Sequence, residues 1–407
     1  MELQRIQHQL EIKELEIKAL LEITQAINNN VAEDALYKIF KFTSLSSLKF
    51  NKLCLYVRDQ EWSAKVNFGT LNEYSGIIPD AAFTGIRKIN KVCELINSGP
   101  FTEFDLVVPI AHKGEIISLL FVGRSGEQHE STADERLGFL QALSNIMVVA
   151  IENRKLAKKE IEQEAFRKEM EIASDVQQLL FPERLPKSGK VILEASYLPH
   201  DRVGGDYYDF IPLTENRFVI CIADVSGKGV SAALLMANFQ ATLRSLVLQN
   251  AGLPETIEKL NVRLFEITKG DRFITCFLAL FDLDVQRMTY VNAGHIQPIA
   301  VDPSGSLQFL EKGTTILGAF PSIKSLQIGE VRLDGPITLF SYTDGLTETL
   351  DENGNEFGTQ WLADYFKKKP FPDLSTLHQD VIIELDQFKG RNPYQDDITM
   401  LSCRINA

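Results

Sequence analysis

The sequence predicts an α+β protein: an N-terminal α/β unit, a helical connector and a larger C-terminal unit of layered strands and helices. Three observations predict it. Residues 1–27 and 152–182 place apolar side chains at helical steps among Glu and Lys, the spacing of one helix face. Between them lie a paired apolar run and a closing helix. From Glu183 onward, strand-length apolar runs stand before and after one helical pair, which argues for layered sheet and helix over a regular βαβ series. At 407 residues, with 44% hydrophobic and 24% charged residues, the chain is long and apolar enough for two or three globular domains.

In the first helix, residues 1–27, a seam runs through Leu3, Ile6, Leu10, Ile17, Leu20 and Ile27, with Lys13 and Thr24 as polar interruptions. Glu14 and Lys18 add an i,i+4 pair. Such a seam suits a coiled coil between two chains, and so a homodimer; a helix packed on its own domain is the alternative. Asn28-Asn29-Asn30 breaks the pattern. Residues 28–151 read as a compact α/β unit. It has a helix over 34–48, a strand over 52–57, and a hairpin joining 106–111 to 116–122 across His112-Lys113-Gly114-Glu115. A closing helix spans 131–151. Its start, Ser131-Thr132-Ala133-Asp134, resembles a capping box with Asp in place of Glu or Gln.

Residues 152–182 form the connector. Ile161, Ala165, Ile172 and Leu179 make one stripe, with Lys168 and Asp175 at seam-like positions; Ala165, Ile172, Val176 and Leu179 make another. Two overlapping stripes can support two helix registers; one continuous helix packed on the following domain is the plainer alternative. Pro182 and Pro186 end it. Beyond, strands are expected over 191–197, 209–213, 217–223, 275–282, 287–291, 299–302, 331–333, 337–343 and 398–403. Helices are expected over 231–249, 253–268 and 374–388.

Several of these strands deliver a carboxylate. The run Phe218-Val219-Ile220-Cys221-Ile222-Ala223 ends on Asp224, followed by Val225 and a Ser226-Gly227-Lys228-Gly229 turn. Gly204-Gly205-Asp206-Tyr207-Tyr208-Asp209 precedes it. Leu339 to Thr343 leads into Asp344-Gly345, and Asp396-Asp397 stands before the last strand. Each Asp taken singly is an ordinary turn former. Together they offer the oxygen ligands that hard divalent cations take, and the glycine turn can present backbone N–H groups to phosphate.

The segments GGDYYDF, IADVSGKGVSAALLMA, FITCFLALFD, YVNAGHIQP, SYTDGLTET and DDITML occur in this order. Together they resemble the bacterial PPM serine/threonine phosphatases of the SpoIIE/RsbU type, over residues 183–407. The resemblance implies a PP2C-like β-sandwich flanked by helices and two divalent cations, Mn²⁺ or Mg²⁺. By the same resemblance Asp206, Asp224 and the Val225 carbonyl hold one ion, and Asp224, Asp344 and Asp397 hold the other. Ser226, Gly227, Lys228 and Gly229 are candidate phosphate contacts, with a solvated Lys228 as the alternative. Asp209 is read as structural and Asp396 as an outer or third-metal residue. The family's eukaryotic branch has a histidine where Ser226 stands, proposed there as a general acid. In its absence a metal-bound water is the preferred substitute, with His295 the alternative, read chiefly as shaping a strand-turn; no position matches that branch's phosphate-binding arginine, and Arg202 is near in sequence only. The order of elements in residues 28–151 resembles a GAF-type sensor, with a PAS domain as runner-up, and implies a small-molecule or protein partner there.

The resemblance implies a sensor-regulated protein phosphatase whose substrate is a phosphorylated STAS-domain antagonist of an anti-sigma factor. A silent signalling scaffold and a hydrolase of small phosphate esters are the competing readings. A net charge of -13 argues against nucleic-acid partners. No uninterrupted 18-residue apolar run reads as a membrane span, and a charged helical start is unlike a signal peptide, so a cytoplasmic location is expected. The five cysteines and six histidines show no metal-ligand spacing, and the thiols are expected buried and free.

Overall fold

The computed structural model describes residues 2–123 and 130–406. They divide into two compact units, residues 1–164 and 165–407.

In the first unit, α1 (Glu2–Asn28) and α2 (Glu33–Phe42) precede five antiparallel strands: β1 (Lys52–Arg58), β2 (Trp62–Phe68), β3 (Asn90–Lys91), β4 (Leu106–His112) and β5 (Glu115–Gly123). Their order is β2-β1-β5-β4-β3. A short α3 (Ala81–Thr84) lies between β2 and β3, and α4 (Glu130–Gln178) follows. The strands bury both faces, as alternation requires. Leu53, Leu55, Val57, Leu120 and Val122 pack with Ile23, Phe40, Leu140 and Met147 of the helices. Cys54, Tyr56, Leu119 and Phe121 face the other way, into a cluster with Tyr74, Phe83, Phe101 and Phe104.

The seam expected in α1 packs only in its second half, where Leu20 and Ile27 lie against the core of the unit. Ala19, Ile23 and Ala26 are buried, whereas Leu10 and Ile17 stay exposed; Leu3 and Ile6 lie outside the described side chains, as does the Ser131–Asp134 start. The helix expected over 34–48 leaves α-geometry at Phe42 and finishes as a π-helical turn, Thr43–Ser47. The closing helix and the connector are one unbroken element, α4, which begins in the first unit and ends in the second.

The second unit stacks four layers. One sheet holds β7 (Tyr207–Pro212), β8 (Arg217–Val225), β9 (Ile274–Asp282), β10 (Arg287–Ala293), β13 (Gly313–Thr314) and β14 (Gly329–Arg332). The other holds β6 (Val191–Leu198), β11 (Ile299–Val301), β12 (Leu307–Phe309), β15 (Ile337–Tyr342) and β16 (Ile398–Ile405). Phe218, Ile220, Ile222, Phe277 and Phe281 of the first sheet meet Leu193, Leu339, Leu401 and Cys403 of the second. Outside the first sheet, α5 (Val230–Leu248) and α6 (Leu253–Thr268) bury Phe239, Leu243, Ile257 and Leu260. Outside the second, α8 (Gln360–Lys368) and α9 (Leu374–Lys389) bury Leu362, Phe366, Leu377 and Val381; a one-turn α7 (Asp344–Thr347) follows β15. This is the helix-flanked sandwich that the motifs implied.

Two expectations need adjustment. The 19-residue α5 is long and apolar enough to cross a membrane by length and composition, yet Ala232, Met236, Phe239 and Leu243 sit in the core. Of the five free cysteines, Cys93 is exposed; the other four are buried.

Candidate active site

The sheets deliver the carboxylates two by two. Tyr207 pairs with Ala223, so Asp206, one residue before β7, stands beside Asp224 near the end of β8. Tyr342 pairs with Met400 and the Thr343 N–H donates to the Thr399 carbonyl at 3.0 Å, so Asp344 and Asp397 flank the ends of β15 and β16. Hydroxyls and amides then tie the two pairs together. Thr343 and Thr399, on the second sheet, donate to Asp206 Oδ2 at 2.8 and 2.5 Å. Asp397 accepts from the His200 N–H and, across the sandwich, from the Gly205 N–H, both at 2.8 Å.

Gathering carboxylates out of water disfavours their ionised forms. Burial, and next the Asp224 charge, hold Asp206 well above the usual carboxylate range. Burial and then Asp344, Asp396 and Asp397 push Asp224 up to about 7. Asp344 is raised by burial and then by Asp396. Asp397 is raised chiefly by burial, which the two N–H donors oppose.

The donor set fits a hard divalent cation by chemistry: carboxylates and one backbone carbonyl, with no soft ligand. Space fits as well. A Cβ on Gly205 would stand 2.8 Å from the Val225 carbonyl oxygen and 3.5 Å from Asp224 Oδ1, so glycine keeps that approach open. Among the described residues, no three Asp, Glu, His or Cys side chains stand, as they lie, in an arrangement that could hold a metal ion. The carboxylates converge while Asp206 and Asp397 remain engaged by hydroxyls and amides. A cavity of about 810 Å³ lined by Gln297, Lys312, Thr314, Phe320 and Lys324 contains none of them, so size alone does not mark the chemistry.

The glycine turn is more committed than its sequence suggests. The Ser226 N–H donates to the Phe273 carbonyl and Ser226 Oγ accepts from the Phe273 N–H, both at 2.9 Å, so the N–H is committed while the hydroxyl keeps its own proton to donate. Lys228 Nζ pairs with Asp396 Oδ2 at 2.9 Å and also donates to the Gln395 carbonyl; the side chain is exposed, a solvated lysine with an acidic partner. Gly229 begins α5, while Gly227, at φ 95°, lies under a guanidinium: Arg272 Nη1 donates to the Ser226 carbonyl at 2.9 Å, and a Cβ on Gly227 would come within 1.5 Å of that nitrogen. Arg272 makes no ion pair among the described residues and went unnoticed in the sequence. Its signal was register: Ile274 pairs with Val225, which sets Arg272 against Ser226 and Gly227.

Three other residues find structural places. Asp209 is fully buried and accepts from Arg244 Nε and Nη2 at 2.8 and 2.7 Å and from the Tyr207 hydroxyl, as its structural reading required. Arg202 pairs with Glu171 at 2.8 Å, away from the carboxylates. His295 is buried; its Nδ1 lies 2.9 Å from Thr275 Oγ1, next to Asp224 across the sheet, and the Tyr342 carbonyl faces its unbonded Nε2. Burial lowers it to about 4, so it is neutral at pH 7 and braces the two sheets instead of standing ready as an acid.

Comparison with known proteins agrees with this geometry. The family description "Stage II sporulation protein E (SpoIIE)" matches residues 214–406. Phosphoserine phosphatase RsbU of Bacillus subtilis (strain 168) is 32% identical over 246 residues, 60% of this chain and 71% of RsbU. The chain belongs to the SpoIIE family of protein phosphatases. Phosphoserine phosphatase RsbP of the same organism is 25% identical over 239 residues, 57% of this chain and 56% of RsbP. Among solved structures, the SiaA-PP2C domain of Pseudomonas aeruginosa shares the fold, with a TM-score of 0.53 at 22% identity over 60% of this chain and 99% of that domain. Asp206 precedes the stretch matched to the SpoIIE family, so its place beside Asp224 rests on the pairing of β7 with β8.

Proposed function

We infer that this SpoIIE-family phosphatase hydrolyses phosphoserine or phosphothreonine on a STAS-domain protein in a partner-switching pathway, under control of its N-terminal unit. The observation that carries the chemical part is the convergence of two carboxylates from each sheet at one rim. Asp206, Asp224, Asp344, Asp397 and the Val225 carbonyl are the groups that would hold two Mn²⁺ or Mg²⁺ ions. Such ions, when bound, supply a water of lowered pKa and neutralise phosphate charge. The protein's own part is positioning. Thr343 and Thr399 orient Asp206, Asp396 holds Lys228 beside the turn, and Arg272 offers its remaining donors to a phosphate. With His295 buried and neutral, solvent at the site fills the role of leaving-group acid.

The regulatory part draws on the first unit. Its sheet and helix order supports the GAF-like reading. Tyr56, Tyr74, Phe83, Phe101 and Phe121 interlock with ring centroids 4.6–6.5 Å apart, which favours a protein partner over a small ligand on that face. Leu10, Ile17, Ile161, Ile172, Val176 and Leu179 remain exposed along α1, α4 and the turn after α4, and support a homodimer through helical segments. A cytoplasmic location belongs to the same reading.

The test is Mn²⁺-dependent phosphate release from a phosphoserine STAS-domain protein by the full chain and by Asp224→Asn, beside a panel of nucleotides and small phosphate esters. Release from the protein alone, abolished in Asp224→Asn, supports the reading. Preferential turnover of the small esters points to the alternative hydrolase. No turnover and no Mn²⁺ binding by calorimetry points to a scaffold.

A further inference from the structure

Between Ile151 and Leu193 a single residue is fully buried, and it is polar: Gln177, at 6% exposure. The second half of α4, which buries one amide and leaves Ile172 and Val176 in solvent, is not simply hiding apolar surface; buried amides persist where their partners are specific. Gln177 has such partners. Its Nε2 donates to the Gly204 carbonyl at 2.7 Å, and its Oε1 accepts from the Gly204 N–H at 3.2 Å. The side-chain amide therefore satisfies both backbone groups of one glycine, as a neighbouring strand would.

That glycine is wedged into the carboxylate rim. A Cβ on Gly204 would stand 2.2 Å from Asp397 Oδ2 and 2.1 Å from the Tyr197 hydroxyl. The next residue, Gly205, donates its N–H to the same Asp397 oxygen, and Asp206 follows. One face of this di-glycine segment is held by the end of α4 and the other by Asp397, Asp224 and Val225. Two further contacts keep the helix end in place. Glu171 pairs with Arg202, and Phe181, just past α4, packs on Tyr197 and Tyr208 at centroid distances of 5.2 and 4.9 Å.

We propose that Gln177 is a positioning residue for the metal carboxylates, through which the end of α4 sets the Gly204–Gly205 segment and so the presentation of Asp206 and Asp397. The proposal rests on the reading of these carboxylates as metal ligands. It makes the connector's coupling to the site direct, through one side chain and one peptide. Because coupling is reciprocal, a helix end held in place favours metal, and bound metal favours the held helix end.

The experiment uses the full-length chain. Mn²⁺ dissociation constants are measured by calorimetry for wild type, Gln177→Ala, Gln177→Glu, the exposed neighbour Gln178→Ala, and Asp224→Asn. Gln177→Glu keeps the volume but places an acceptor against the Gly204 carbonyl. Groups that orient metal ligands from outside typically contribute 10–100-fold in affinity, so both Gln177 variants should weaken Mn²⁺ binding roughly tenfold or more, and Gln178→Ala should match wild type. Turnover that recovers at saturating Mn²⁺ separates a loosened site from an unfolded one. Should Gln177→Ala fail to fold, Gln177→Glu is read by the same criterion. Wild-type Mn²⁺ affinity in the folded Gln177 variants, with binding impaired in Asp224→Asn, overturns the proposal alone. Unimpaired binding in Asp224→Asn overturns the metal-ligand reading beneath it.

Discussion

Replacing Asp224 by Asn should make the metal-free protein more stable, by an amount that grows with pH. Asp224 is raised from 3.8 to about 7, by burial first and then by Asp344, Asp396 and Asp397. Well below pH 3.8 the carboxyl is protonated in both folded and unfolded chains, and the site costs nothing. As the pH rises toward 7 the unfolded chain ionises while the folded site keeps its proton, so stability falls until the folded carboxyl also titrates. At about 1.4 kcal/mol per pH unit, the penalty is roughly 2 kcal/mol at pH 5.5 and about 4 kcal/mol at pH 8. Burial lowers His295 to about 4 and His378 to about 3, and both act oppositely, weakening the fold as pH falls below their unfolded value. Wild type alone mixes these opposed trends, and the readable quantity is its difference from Asp224→Asn, in which the histidines cancel. Scanning calorimetry in EDTA should place the Asp224→Asn transition about 4–8 °C above wild type at pH 5.5 and roughly twice that at pH 8. Saturating Mn²⁺ should close or reverse the gap. Equal melting of the two proteins at both pH values in EDTA would refute the claim that the rim is held against electrostatic and desolvation strain.

Other perturbations separate the roles further. Arg244→Ala strands the buried Asp209 carboxylate. With Arg244 37% exposed, the loss should sit near the low end of the range for breaking a buried pair, about 3 kcal/mol by urea unfolding, while Mn²⁺ stoichiometry stays the same; an altered stoichiometry would make Asp209 a ligand. Arg272→Ala should lower kcat/KM for the phosphoprotein about 10–100-fold, the worth of a charge-assisted hydrogen bond, and weaken competitive inhibition by inorganic phosphate without changing Mn²⁺ affinity. A change confined to metal affinity would instead assign Arg272 to shaping the Ser226 turn. His295→Gln should leave the acid limb of the kcat profile above pH 5 in place, because the imidazole is already neutral there; disappearance of that limb would restore His295 as the acid.

The sequence by itself determined which residues could do chemistry here. Each carboxylate closes an apolar run or opens the next, so Asp206, Asp224, Asp344 and Asp397 were legible from local pattern, as were the main strands and the α5–α6 pair. The seam of α1 was legible as helix but not as packing, because an amphipathic stripe does not say which neighbour covers it; Ala19, Ile23 and Ala26 turn inward while Leu10 and Ile17 do not. The strands β2, β3, β12 and β13 and the helices α3, α7 and α8 escaped notice. Gly313–Thr314 and Leu307–Phe309 have too few residues to show a period, and a nine-residue helix gives little more.

Only the tertiary structure decided what meets what. Pairing of Val225 with Ile274 brings Arg272 onto the turn after Asp224. Stacking of two sheets gives Asp206 its threonine donors and leaves His295 buried between strands. Docking of one helix end puts the Gln177 amide on Gly204. The physical reason is range: apolar period and turn chemistry are set by neighbours in the chain, whereas register, layer packing and the field at a carboxylate are set by groups 27 to 193 residues away, which only folding brings together.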